Sequence, residues 1–204
     1  MKSFGWVLIA ALLAGSAGFG LSLWLNQPEP KAFKSKLVLY GTPRTLKPFV
    51  LTDARAQPIT AESLKGRWSV LFFGFSHCPD ICPATLAQLA EAEKLLGPDA
   101  SPRMIFVSVD PERDTPKKMG DYVRYFSPSI LGVTGSKPEL EALTQQLGVM
   151  YAKVPLEGDN YTVDHSSSLF LLDPQTQLRG LIRPPFDPKA LSADLQQLTQ
   201  DAAP

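Results

Sequence analysis

Cysteine and histidine are scarce in this 204-residue chain, which contains two of each. Two cysteines are too few for a small domain that is stabilised mainly by disulfides. They are also too few for an all-cysteine tetrahedral zinc site. Any metal site built from these residue types therefore has at most two thiolates and two imidazoles. The residues available for it are Cys78, Cys82, His77 and His165.

The chain also lacks an excess of charge, with 20 Lys and Arg residues against 20 Asp and Glu residues. A neutral chain has no electrostatic reason to bind nucleic acid. Hydrophobic residues make up 44% of the sequence and charged residues 20%, which argues against intrinsic disorder. The composition is typical of one folded domain with an appendage.

The N-terminus contains a long uncharged segment. Residues 4–25 form a run that, as an α-helix, would be about 33 Å long, enough to cross a bilayer core of about 30 Å. Trp6 and Trp24 lie near its two ends, where interfacial aromatic residues are expected. A cleaved signal peptide is the alternative, because residues 14–18 are mostly small. The apolar run continues past them, so we predict an uncleaved single-pass anchor at residues 1–26.

Residues 27–46 contain prolines and lysines, and we predict that they form a flexible linker to a domain at residues 47–204. In that domain, apolar runs alternate with helical patterns. Nearly continuous apolar runs at 68–75 and 104–109 are typical of central strands covered on both faces. The expected strands are 49–52, 68–75, 104–109, 131–134, 168–172 and 178–183, and the expected helices are 83–96, 116–126, 137–147 and 188–199.

The order of these elements predicts an α/β fold with a mixed central sheet and helices on both faces. Residues 151–167 show no clear pattern, and we expect them to form a long loop. A structureless loop of that length in a compact domain is often functional.

Cys78 and Cys82 follow the first central strand and flank the start of the next helix. A thiol at a helix N-terminus lies at the positive end of the helix dipole, which favours the thiolate. Residues four apart share one helix face, with Cα atoms about 6 Å apart, so they can form a disulfide or converge on one ion. A structural disulfide or two buried thiols is the simpler interpretation, whereas the flanking Pro79 and Pro83 favour an exposed site.

The surroundings of the two cysteines favour a metal pair over a redox pair. The thioredoxin motif is Cys-x-x-Cys, whereas here three residues separate the cysteines. Thioredoxin-like oxidoreductases carry a proline before the strand that faces the cysteines, but the corresponding segment 163–169 contains His165 instead. Two thiolates and one imidazole form a soft ligand set that suits Cu(I). His77 adjoins Cys78, and neighbours in an extended chain point to opposite faces, so we predict a supporting role for His77.

Three motifs in this sequence resemble the Sco/SenC family of copper-binding, thioredoxin-like proteins that help assemble the CuA centre of cytochrome c oxidase. They are FGFSHCPDICP at 73–83, VSVDPERDTP at 107–116 and VDHSSSLFLLDP at 163–174. They occur in the family's order, and the similarity spans residues 48–198. The first motif reads Gly-Phe-Ser-His-Cys where many relatives have Tyr or Thr before the cysteine, a departure that affects no expected ligand.

The resemblance implies a thioredoxin-like fold and a copper site, for Cu(I) or Cu(II), formed by Cys78, Cys82 and His165. It implies a metallochaperone that delivers Cu(I) to the CuA-bearing subunit of cytochrome c oxidase, or prepares that subunit's cysteines. An upstream copper donor or thiol reductant would then be a second partner. The alternative is a thiol-disulfide oxidoreductase of extracytoplasmic proteins in which the two cysteines form a redox disulfide, and a peroxidase-type thiol enzyme is a third hypothesis. Metal binding requires the histidine, whereas disulfide exchange does not.

The resemblance also implies a location. A CuA chaperone must present its site on the outer face of the energy-transducing membrane. We therefore expect an inner-membrane protein with its domain in the periplasm, or in the intermembrane space of a mitochondrion. Lys31, Lys34 and Lys36 follow the anchor and argue against this orientation, because positive residues favour the cytoplasmic side.

Charged residues near the motifs have alternative interpretations. Asp164 precedes the histidine, and it either orients the imidazole or serves a turn. Asp114 or Thr115 is predicted to cap the helix that follows. Glu112 and Arg113, in the same motif, are candidates for docking a partner.

Overall fold

The computed structural model describes residues 32–97, 102–158 and 160–201, and near the N-terminus only Gly15, Ser16 and Ser22. The chain divides into two units, Met1–Ala32 and Phe33–Pro204. The predicted anchor at residues 1–26 therefore lies almost entirely outside the described residues. Where the chain is described, no helix combines the length and the apolar character that a membrane span needs.

Two sheets are formed by the described strands of the second unit. The strands are β1 (Leu37–Thr45), β2 (Val50–Asp53), β3 (Pro58–Thr60), β4 (Ser69–Gly74), β5 (Arg103–Ser108), β6 (Leu131–Thr134), β7 (Tyr151–Pro155), β8 (Tyr161–His165), β9 (Leu169–Leu172) and β10 (Gln177–Ile182). The helices are α1 (Ile81–Leu96), α2 (Pro116–Arg124), α3 (Lys137–Leu147) and α4 (Pro188–Asp201). Eight strands form one sheet in the order β1-β10-β9-β4-β5-β6-β2-β3, and β7 pairs with β8 in a two-stranded ribbon.

The centre of the large sheet consists of the parallel strands β4, β5 and β6, with antiparallel strands on both sides. Successive side chains of a strand point to opposite faces of the sheet. Val70 and Phe72 of β4 pack in a core with α1, α2 and α4, whereas Leu71 and Phe73 pack in a second core with α3. The prediction of a mixed sheet with helices on both faces is therefore confirmed.

Local sequence signals set the starts of two helices. The Thr115 hydroxyl accepts a hydrogen bond from the third amide of α2 at 3.3 Å, and Pro116 occupies the first helical position. A capping box of Ser136 and Glu139 opens α3, which ends at Gly148 with a left-handed φ of 73°. Each predicted strand and helix corresponds to an element of the structure, with ends that differ by at most two residues.

The predicted linker at residues 27–46 is wrong from residue 37 onward, because Leu37–Thr45 is strand β1, which pairs with β10. The segment just before it is also tied to the domain: the amides of Lys34 and Ser35 donate to the Asp194 carboxylate at 2.8 and 2.6 Å. Most of β1 is partly or fully exposed at the sheet edge, so it carries no apolar run that would identify it as a strand.

The expected loop at residues 151–167 is also wrong, because most of it forms the ribbon of β7 and β8. The two strands are antiparallel, and Tyr151 pairs with His165 while Pro155 pairs with Tyr161. Only Val163 of these ten strand residues is buried, which explains the missing hydrophobic pattern. The ribbon matters because its last residue is a candidate ligand.

Candidate metal centre

The side chains of Cys78, Cys82 and His165 come together from three different elements of the fold. Cys78 lies in the loop after β4, Cys82 in the first turn of α1, and His165 at the end of β8. The Cys82 Sγ and the His165 Nε2 are 3.4 Å apart, and the donor atoms of all three residues lie within 4.8 Å of one another. Among the described residues, this is the one group of three or more His, Cys, Asp or Glu donors close enough to share an ion.

The start of α1 places the two sulfur atoms side by side. The backbone amide of Cys82 donates to the Sγ of Cys78 at 3.3 Å, so a helix N-terminal N–H is directed at this sulfur. Cys82 is fully buried in the core, whereas Cys78 is partly exposed. Neither thiol forms a disulfide in this structure.

The two thiols differ strongly in acidity. The hydrogen bond from the Cys82 side chain lowers the pKa of Cys78 to about 5, although burial opposes this effect. The same contact and burial raise the pKa of Cys82 above its usual range. Cys78 is therefore the more acidic thiol of the metal-free pair, and Cys82 still has a proton to lose before both sulfur atoms can bind a metal.

The imidazole of His165 is oriented by the backbone. Its Nδ1 lies 3.2 Å from the carbonyl oxygen of Ser166, and because a carbonyl only accepts, this contact places the proton on Nδ1. In the neutral imidazole with that tautomer, Nε2 carries the lone pair that can bind a metal, and it faces Cys82. The rings of Phe72 and Phe75 meet the imidazole edge-on at centroid distances of 6.1 and 6.0 Å.

Asp164 is exposed at the preceding position of β8, where side chains alternate between the two faces of the strand. The contact at the imidazole Nδ1, which the sequence suggests for Asp164, is made by the Ser166 carbonyl. His77 is near the cysteines but outside the donor group, with its Nδ1 3.1 Å from the Ser76 hydroxyl.

Gly74, the last residue of β4, allows Cys82 to approach the sheet. A Cβ atom at this position would lie 2.5 Å from the Cys82 Sγ and 2.8 Å from the Phe106 ring, closer than real Cβ atoms come. Any larger residue would displace the sulfur or the ring. Sequence reasoning missed this role, because a glycine at a strand end is usually assigned to the turn that follows.

The second motif holds the loop that carries Cys78. Asp114 is fully buried, and its carboxylate accepts hydrogen bonds from the Ser76 amide at 2.8 Å, from the Ser76 hydroxyl, and from the Ser108 hydroxyl at 2.6 Å. Asp114 therefore links the end of β5 to the loop that carries Cys78. The predicted capping role belongs to Thr115, the other candidate.

The same motif contacts the ribbon. Arg113 donates to the Asp110 carboxylate at 2.5 Å and to the Tyr161 carbonyl at 2.9 Å, and Glu112 pairs with Lys153 at 2.5 Å. Glu112 and Arg113 thus make contacts within the chain. The role of Tyr161 was not predicted from the sequence. The one sequence feature that could have indicated it is the position of Tyr161 just before the third motif.

The donor set fits a soft metal ion. Thiolates select Cu(I) over harder ions, and imidazole is a common ligand of copper as well as zinc. A zinc site would normally add a fourth ligand or a water. Two sulfur atoms and one nitrogen are therefore the chemistry expected of a three-coordinate Cu(I) site.

The sequence model of the SCO1/SenC family matches residues 39–200. This chain belongs to the SCO1/SenC family. The matched region runs from β1 to α4 and includes all three motifs and the three converging side chains.

Individual relatives agree with this assignment. SCO1 homolog 1, mitochondrial, of Arabidopsis thaliana is 41% identical over 132 residues, which cover 63% of this chain and 39% of that protein. The structure of Bradyrhizobium japonicum ScoI with copper bound is 35% identical, with a TM-score of 0.70 over 76% of this chain and 99% of that one.

A third likeness concerns the fold. BsSco, a member of the Sco family of cytochrome c oxidase assembly proteins with a disulfide switch, is 24% identical. It matches with a TM-score of 0.61 over 79% of this chain and 97% of that chain. The domain therefore has the thioredoxin-like fold of the Sco family.

Proposed function

We propose that this chain binds copper through Cys78, Cys82 and His165 and passes Cu(I) to the CuA-bearing subunit of cytochrome c oxidase. The convergence of two sulfur atoms and one imidazole nitrogen within 4.8 Å carries the proposal. The copper bound by the related ScoI, and the assembly role of the family to which BsSco belongs, support it.

The residues of this site have distinct roles in the proposal. Cys78 provides a thiolate at neutral pH without further deprotonation, because its pKa is about 5. Cys82 supplies the second sulfur from the buried side and loses its proton when the metal binds. His165 directs Nε2 to the same place. The partly exposed Cys78 is the ligand that an incoming acceptor thiolate can reach first.

The acidity of Cys78 also favours a second candidate function, thiol-disulfide exchange on the same subunit. In that reaction the Cys78 thiolate attacks a disulfide of the target and forms a mixed disulfide, and one target thiolate leaves. Cys82 then loses its proton and attacks Cys78, which releases the second target thiolate. The target gains two electrons, and this chain is left with a Cys78–Cys82 disulfide.

Titration of the reduced chain with Cu(I) tests the metal site. We expect saturation at one copper per chain, because the described residues contain one such donor group. A chromophoric Cu(I) chelator as competitor and elemental analysis of the isolated complex measure the stoichiometry. Two or more tightly held copper ions per chain would contradict the assignment.

We further propose that residues 4–25 anchor the chain and that the folded domain faces the periplasm, or the intermembrane space of a mitochondrion. The proposed delivery of copper to CuA requires the extracytoplasmic side, and the Arabidopsis relative is a mitochondrial protein. An anchor would raise the local concentration of the donor near a membrane-bound oxidase and so assist a weak encounter. Because the folded unit begins at Phe33, residues 27–32 would form the connection to the anchor instead of residues 27–46.

A membrane-impermeant maleimide tests this orientation in spheroplasts from copper-depleted, reduced cells that express the chain. We expect labelling of Cys78 already at pH 6, because at a pH above its pKa of about 5 this thiol is mostly thiolate. Cys78→Ser is the control and should remain unlabelled, since the remaining Cys82 is buried. Labelling that requires rupture of the inner membrane would place the domain in the cytoplasm and refute the orientation.

A further inference from the structure

A partly buried polar clasp of Asp110, Arg113 and Tyr161 joins the ribbon to the loop that follows β5. The Asp110 carboxylate is fully buried and accepts hydrogen bonds from the Tyr161 hydroxyl at 2.7 Å and from the Arg113 Nε at 2.5 Å. The Arg113 Nη1 donates to the Tyr161 carbonyl at 2.9 Å, and the guanidinium lies 3.7 Å from the centre of the Tyr161 ring. Charge-assisted hydrogen bonds such as those to the Asp110 carboxylate are about twice as strong as hydrogen bonds between neutral groups.

The ribbon needs such an anchor. In the described part of the chain β8 pairs with β7 alone, and a two-stranded ribbon is marginally stable by itself in water. The other charged contact of the ribbon, Lys153 with Glu112, is largely exposed and so contributes little. The clasp at Tyr161 is therefore the main polar restraint that the ribbon makes with the rest of the domain.

Tyr161 and His165 are the first and last residues of the same five-residue strand. A restraint on one end of an extended segment restrains the other end. The loop that holds Tyr161 also holds the cysteine loop through Asp114 and Ser76. One short segment, residues 110–114, thus connects the imidazole and the sulfur atoms of the metal centre.

We propose that Tyr161 is a positioning residue: its hydroxyl, bound to Asp110, holds the ribbon closed and keeps His165 beside the two cysteines. Removing the hydroxyl would favour a state in which the ribbon, and with it the imidazole, leaves the cysteines. The part of this proposal that concerns copper rests on the proposed function, whereas the part that concerns the ribbon does not.

Tyr161→Phe tests the restraint in the metal-free, full-length chain. This change removes the hydroxyl and keeps the ring that packs on Arg113. We expect hydrogen exchange of the β7 and β8 amides to accelerate about tenfold, because a hydrogen bond to a charged group is worth at least that factor. The amides of β4 should not change. Tyr125→Phe is the matched control, since its side chain is 87% exposed, and it should alter neither set.

The copper readout uses a double-mutant cycle. Release of Cu(I) to an excess of chelator should be about tenfold faster in Tyr161→Phe than in the unchanged chain. The reason is that release requires the ribbon to open, and the loss of the hydroxyl lowers the free energy of that opening. In the His165→Ala background the same change should have no effect, since the imidazole through which Tyr161 acts is gone. A structural role of Tyr161 would instead change release equally in both backgrounds.

The two readouts separate the hypotheses. Unchanged exchange of the β7 and β8 amides in Tyr161→Phe would overturn the positioning role, whatever the chain binds. Equal acceleration of release in both backgrounds would overturn the action through His165. Accelerated exchange in a chain that binds no Cu(I) would keep the restraint and refute the proposed function instead.

Discussion

Cys78→Ser and Cys82→Ser are each expected to lower the affinity for Cu(I) by at least about a hundredfold. A serine hydroxyl is a poor ligand for a soft ion, so each variant keeps one thiolate and one imidazole. Four-ligand structural zinc sites bind with roughly 10–16 kcal/mol, about 3 kcal/mol per ligand, and a loss of that size is about two orders of magnitude. Competition with a chromophoric chelator measures the change.

His165→Ala belongs to the same series and separates the two candidate functions. Affinity should fall, because the third ligand is lost, but the two cysteines should still form a disulfide when oxidised. His77→Ala is the matched control and should bind Cu(I) as the unchanged chain does, because His77 lies outside the donor group. Full affinity in His165→Ala would exclude the imidazole as a ligand.

Oxidation of the Cys78–Cys82 pair to a disulfide is expected to release the copper completely. A thiol oxidant such as diamide removes two electrons from the dithiolate, and the sulfur atoms of the resulting disulfide are no longer thiolate ligands. The two sulfur atoms lie within 4.8 Å, so a bond between them requires only a small local movement. Gel filtration followed by copper analysis and thiol counting measures the release.

Reduction of the oxidised chain and addition of fresh Cu(I) should restore one copper per chain, which controls for damage by the oxidant. Copper retained after thiol counting has established complete oxidation would refute a site built on the two thiolates. The result would also decide whether the redox state of this pair is able to control its metal content.

The sequence was sufficient for the central sheet and the helices because hydrophobic periodicity reports burial directly. Strand β4 is buried at every position, and its apolar run identifies it without any knowledge of its neighbours. Helix α3 carries its own capping box and its own C-terminal glycine, so its ends are local properties as well. The candidate ligands were also predictable, since cysteine and histidine are rare here and lie in recognisable motifs.

Elements at the edge of the fold could not be predicted in this way. Strand β1 is mostly half-buried or exposed, and its structure comes from pairing with β10, which lies about 140 residues later in the chain. The ribbon of β7 and β8 likewise has one buried residue among ten. Such segments contain no periodic signal, because their partners and not their own side chains determine their conformation.

By itself the sequence determined which residues carry the chemistry: two thiols four positions apart and one distant histidine, in the motifs of the SCO1/SenC family. Only the tertiary structure decided how they meet. It decided that Gly74 makes room for the Cys82 sulfur, that the Ser166 carbonyl sets the imidazole tautomer, and that Tyr161 and Asp110 hold the ribbon. The physical reason is that each of these contacts depends on how separate elements pack against one another or on the direction of a backbone group. The local residue pattern encodes neither of these.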